Sequence, residues 1–90
     1  MRRVRWTAHA EASLRDREID RTEAQHTIDA PDRRIASRGG RTVLARRYDD
    51  PVLGQPMALC VVLEEHGGET VVVTVYKSSK LDKYLKGGAA

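Results

Sequence analysis

Between Arg33 and Arg47 the chain carries six arginines, Arg33, Arg34, Arg38, Arg41, Arg46 and Arg47, and no acid. A guanidinium presents a fork of N–H donors that matches phosphate oxygens, so arginines clustered in this way suit a polyanion. The cluster belongs to a wider asymmetry. Residues 1 to 47 hold all twelve arginines against seven acids, whereas residues 48 to 90 hold four lysines against six acids, within a net charge of +3. Phosphate binding is the chemistry such a stretch offers, and a solvated basic face is the plain alternative.

Other chemistries find less support. His9, His26 and His66 share no ligand spacing, and the single Cys60 cannot build a thiolate cluster, so neither a metal nor any other cofactor is expected. Gly39-Gly40 and Gly67-Gly68 lack the following helix and lysine of a phosphate-binding loop. No nucleophile motif surrounds Ser13, Ser37, Ser78 or Ser79. Cys60 lies in the apolar run Met57 to Leu63, where a thiol behaves as a small buried hydrophobe.

Ninety residues, 40% of them hydrophobic and with no Phe, suit one domain (residues 1–90) with an aliphatic core over about 4–77. No apolar run approaches the roughly 20 residues that span a bilayer, and no apolar stretch follows the basic N-terminus. The expectation is a cytoplasmic protein with no membrane partner. Val4-Arg5-Trp6 reads as a short strand. Thr7 caps a first helix to about Arg17, striped by Ala8, Ala12 and Leu14. Ile19-Asp20-Arg21-Thr22-Glu23 reads as a capping box opening a second helix over Arg21 to Asp29, which Pro31 ends.

Arg33 to Arg38 and Arg41 to Tyr48 flank Gly39-Gly40, a candidate two-residue hairpin turn. Asp49 to Pro56 reads as a loop. Met57 to Glu65 and Glu69 to Lys77 are valine- and leucine-rich strands joined across His66-Gly67-Gly68. The expected fold is α+β, with two N-terminal helices packed on a mainly antiparallel, twisted sheet of four to five strands. Residues 78 to 90 form a short helix, begun at Ser79 and ended at Gly87, or a flexible tail. A two-residue turn at Gly39-Gly40 puts Arg34, Arg38, Arg41 and Arg47 on one side of the hairpin. Arg33 and Arg46 then share the other side with Ile35, Leu44 and Tyr48. In the last hairpin, Val72, Thr74 and Tyr76 should share a face with Leu59, Val61 and Leu63. Val71, Val73 and Val75 should face the other way with Cys60 and Val62. Both faces are apolar, so the one away from the helices needs the C-terminal segment, a second subunit or a protein partner to cover it.

One order of residues resembles a known family. His9-Ala10 is followed by Arg17 and Ile19, eight and ten positions beyond the histidine, then by a helix closed by Pro31 and a late strand ending Val73-Thr74-Val75-Tyr76. This order, spanning Val4 to Lys77, resembles the bacterial family domain of unknown function 4258, which is similar in size and element order to the RelE-like ribonuclease toxins. That family carries Arg where this chain has Ser13, and Gly where it has Glu18.

The resemblance implies a RelE-like sheet that binds RNA or the ribosome, with a place in a toxin–antitoxin pair and an antitoxin protein as partner. It implies metal-independent RNA cleavage, in which the substrate's own 2′-hydroxyl attacks the adjacent phosphorus. Such a reaction asks the protein for alignment, proton transfer and charge stabilisation. On that reading His9 is the acid or base, Arg17 and Arg46 stabilise the phosphorane, and Tyr76 stacks on a base or donates a proton. Arg33, Arg34, Arg38, Arg41, Arg47 and Lys77 then hold flanking RNA. The alternative is a non-catalytic interaction or oligomerisation module of the same fold, with a homo-oligomer as its simplest form.

Overall fold

The computed structural model describes residues 3–85. Strand β1 (Arg3–Trp6) leads into Thr7, whose hydroxyl oxygen accepts from the Ala10 amide at 3.0 Å and caps helix α1 (Ala8–Asp16). The same hydroxyl donates to the Val72 carbonyl at 2.9 Å, which ties the helix start to the sheet. Ala10, Ser13 and Leu14 are the buried residues of α1, whereas Ala8 is exposed, so the expected stripe is rotated.

Helix α2 (Arg21–Asp29) begins at Asp20, whose carboxylate accepts from the Thr22 amide at 3.0 Å. The reciprocal capping box does not form: Asp20 caps Thr22 rather than Glu23, and Glu23 turns to Arg46 instead of reaching back. A guanidinium is a stronger, charge-assisted donor than a neutral amide, and it wins the carboxylate. Ile19 and Ala24 do meet in one apolar cluster, as a hydrophobic staple requires. Ala30, ahead of Pro31, leaves the helical region with φ −144°.

Strands β2 (Arg33–Ala36), β3 (Thr42–Asp50), β4 (Gln55–His66) and β5 (Glu69–Ser78) follow as an antiparallel meander. Strand β1 joins it parallel to β5, giving a five-stranded sheet of order β1-β5-β4-β3-β2. Helices α1 and α2 cover one face over β5, β4 and β3, and a short helix α3 (Leu81–Leu85) lies on the other. The fold is α+β, as the sequence implies. The expected end of α3 at Gly87 lies outside the described residues. Among those residues no helix is long and apolar enough to cross a membrane.

Leu14, Ile19, Leu44, Tyr48, Leu59, Val61, Leu63, Val72 and Val75 form the core under α1 and α2. Val43, Ala45, Ala58, Cys60 and Val62 form a smaller one on the opposite face, against which Tyr76, Leu81, Tyr84 and Leu85 pack. The second apolar face is therefore covered by the C-terminal segment.

Two expected registers are wrong by one residue. Gly67-Gly68 is a two-residue turn, with both φ positive and His66 opposite Glu69. Gly39-Gly40 is not. Ala36 pairs with Thr42, and Ser37 to Arg41 form a wider turn built on a 3₁₀ segment at Arg38–Gly40. A slip of one residue turns a strand over. Arg33 and Ile35 therefore share the α3 face with Val43, Ala45 and Arg47, while Arg34 shares the α1/α2 face with Leu44 and Arg46. In the last hairpin a bulge lies where Val62 pairs with Thr74 but Leu63 with Val72. Val72 and Val75 consequently both enter the main core, and Tyr76 moves to the opposite face beside Cys60.

Candidate functional site

The side chains chosen for catalysis do not converge. His9 is exposed in the first turn of α1. Its carbonyl, one turn on, accepts from the buried Ser13 hydroxyl at 2.9 Å. Ser13 thereby spends its proton, so Thr74, 3.0 Å away, is the donor in the contact between the two hydroxyls. Arg17 donates to the Val75 carbonyl at 2.7 Å and to the Thr74 hydroxyl at 3.4 Å. Ser13 and Arg17 together dock α1 onto the bulged part of β5. Arginine at position 13 would have no room in this buried contact.

Arg46 is more tightly held. It donates to the Thr27 hydroxyl at 3.2 Å, the Glu23 carbonyl at 3.1 Å, the Glu23 carboxylate at 2.5 Å and the Arg47 carbonyl at 3.4 Å. Its side chain is 14% exposed. Four acceptors, three of them on α2, leave the guanidinium little capacity for a phosphate, and Arg46 acts as a clamp between α2 and β3.

Lys77 is likewise occupied, at 2.5 Å from the buried Asp50 carboxylate. Asp50 also accepts from the Val52 and Leu53 amides at 2.8 and 3.3 Å, which closes the β3–β4 turn. Lys77 holds the Asp50 carboxyl below its ordinary pKa, against the opposing push of burial. Burial raises the neighbouring Tyr48 phenol, with the Asp50 and Glu23 charges adding to it. The sequence carries a signal for this lock: an Asp before Pro-Val-Leu-Gly is an Asx-turn pattern. The same chemistry makes Asp50 a structural residue.

Tyr76 lies on the other side of the sheet, with its hydroxyl 3.3 Å from that of Tyr84 and the two rings edge to face at 6.0 Å. Burial, then the Tyr84 bond, pushes its phenol well above the usual range. Cys60 beneath it is fully buried and its thiol is raised by burial to about 11. Neither group is placed for proton transfer with His9.

The basic segment is also rearranged in space, because acids distant in sequence are brought to it. Arg41 pairs with Glu64 at 2.7 Å, and His66 holds the other oxygen of that carboxylate at 2.9 Å. These two neighbours, Arg41 first, lower the Glu64 pKa. Arg33 donates to the Lys83 carbonyl on α3 at 3.3 Å. Arg34 borders a cleft of about 310 Å³ also lined by Asp29, Glu65 and Thr70. Among the described residues the side chains of Arg34, Arg38 and Arg47 make no hydrogen bond or ion pair. With Arg33 they surround the outer strand β2, Arg34 on one face, Arg33 and Arg47 on the other, and Arg38 at the turn. Among the described residues there is no cluster of groups able to hold a metal ion.

Fold and site thus define a small α+β domain whose free cations rim one edge of an open sheet. No family model, curated protein or solved structure matches the chain.

Proposed function

We propose that the domain binds RNA through the arginine rim around β2 and does not cleave it. The observation that carries this reading is the contrast among the arginines: Arg17, Arg41 and Arg46 are committed to protein acceptors, while Arg34, Arg38 and Arg47 keep their donors. Free guanidinium groups around a sheet edge suit a flexible, phosphate-rich strand. The resemblance to domain of unknown function 4258 gains a point from Glu18, which has φ 53° where that family carries glycine. Catalysis lacks comparable support, because two of its four expected residues, Arg17 and Arg46, are spent on packing contacts and Tyr76 faces away from His9.

The test is RNA binding by fluorescence anisotropy between about 50 and 200 mM salt. Affinity should fall with salt, and the slope of log K against log salt should shrink by about 0.7 for each phosphate contact removed in Arg34→Glu or Arg47→Glu. RNA recovered from the same samples should be intact. Affinity indifferent to salt and to both substitutions would sink the binding assignment. Cleavage abolished by His9→Ala would restore the ribonuclease reading, with a toxin–antitoxin role behind it.

A further inference from the structure

Strand β2 ends the sheet, and among the described residues nothing pairs with its outer edge. An open edge is a template for another strand. We propose that its occupant is a second copy of this chain, paired antiparallel through β2 about a two-fold axis at Ile35.

The register follows from charge. An axis perpendicular to the joined sheet keeps both helical layers on one side, and it sets residues of the same face opposite one another. Centring it on Arg33 or Arg34 sets that arginine against its own copy. Centring it on Ala36 sets Arg34 against Arg38. Like charges directly opposite destabilise a pair of strands, so these three registers are disfavoured. Centring it on Ile35 opposes no like charges. Arg34 then faces Ala36, Arg33 faces Ser37, and Ile35 meets its copy.

The same register brings Asp32 opposite Arg38, twice by symmetry. Arg38 is without an ion pair among the described residues. Asp32 is exposed, and one of its two carboxylate oxygens accepts from the Arg47 amide at 2.8 Å, leaving the other for the partner. Ser37 is extended, with φ −132° and ψ 178°, so the pairing can reach it before the 3₁₀ segment begins. Half-buried Ile35 already packs against the smaller core, and its copy would extend that apolar surface across the axis. An edge of four residues spans only about 13 Å at 3.3 Å per residue, so the contact is small and the dimer weak.

Sedimentation velocity over a concentration series, without RNA, tests the pairing. The chain should pass from monomer to dimer as concentration rises. Arg38→Glu and Asp32→Arg should each weaken the dimer about tenfold, since each replaces two attractive pairs by two repulsive ones. The double substitution should restore it, and that recovery separates a pairing role from mere damage to either residue. Amide exchange should slow in β2 as concentration rises. A monomer at every concentration, or a dimer in which the double substitution is no better than the singles, overturns the proposal. Because RNA and the second copy compete for Arg38, leaving RNA out lets either reading fail without the other.

Discussion

The two faces of the sheet are closed in different ways. Under α1 and α2 the apolar core is framed by directional contacts: Ser13 with Thr74, Arg17 on Val75, Arg46 across Thr27 and Glu23. On the opposite side Leu81, Tyr84 and Leu85 of the short helix α3 pack against the cluster of Ala58, Cys60 and Val62, tied by the bond from Arg33 to Lys83 and the contact of Tyr76 with Tyr84. The thick side sets which way the helices lie, since each polar pin works in one arrangement only. The thin side supplies burial with little direction. Polar residues at functional-looking spacing are therefore spent on the face where two helices must be positioned.

The largest effect should come from the thick side. Leu59 is fully buried beneath the helices, and Leu59→Ala should cost about 2–5 kcal/mol in chemical denaturation. Leu81, half-buried on α3, should cost about 1 kcal/mol or less in Leu81→Ala. Equal costs would erase the distinction between the faces.

Arg46 sharpens the comparison further. Arg46→Met keeps much of the side chain's apolar bulk but removes four hydrogen bonds, while Glu23, at 38% exposure, can turn to water. A loss of about 1.5–3 kcal/mol is expected. Arg46→Lys should recover little of it, because one ammonium cannot span Thr27 and both Glu23 acceptors. A Lys variant as stable as the parent would show that charge alone, without the fork, holds α2.

Much of the fold was legible because it depends on local rules: Thr7 and Asp20 as caps, Pro31 as a stop, valine-rich strands around a Gly-Gly turn. The errors lie where a local pattern has more than one solution. Gly39-Gly40 and Gly67-Gly68 look alike in sequence, and both take positive φ. One joins strands in a two-residue turn and the other belongs to a wider one, a choice made by the pairing of β3 with its neighbours. The bulge at Val62/Leu63 left no mark in a run of valines, and it alone carried Tyr76 away from His9. The site was less legible still. Counting charge along the chain found the arginines of 33 to 47 free of acids, but Glu23 and Glu64 reach them from other elements. Arg46 beside Tyr48 looked suited to chemistry for the same reason it serves as a clamp, since a partly buried guanidinium must be satisfied by something.

The smallest expected effect concerns how the thin side opens. Cys60 lies under Tyr76 with its thiol raised to about 11, so at pH 8 only about a thousandth is thiolate, and it is enclosed as well. Tyr84→Ala removes the ring edge and the hydroxyl contact that hold α3 against Tyr76. It should cost about 1 kcal/mol or less, yet speed the labelling of Cys60 by a thiol reagent about tenfold, because α3 can lift without disturbing the larger core. Leu59→Ala supplies the control. If labelling proceeds through local lifting of α3, Tyr84→Ala should accelerate it more than Leu59→Ala does, although it costs far less stability. If the rates follow global stability instead, Leu59→Ala will label faster, and the two faces of the sheet open as one.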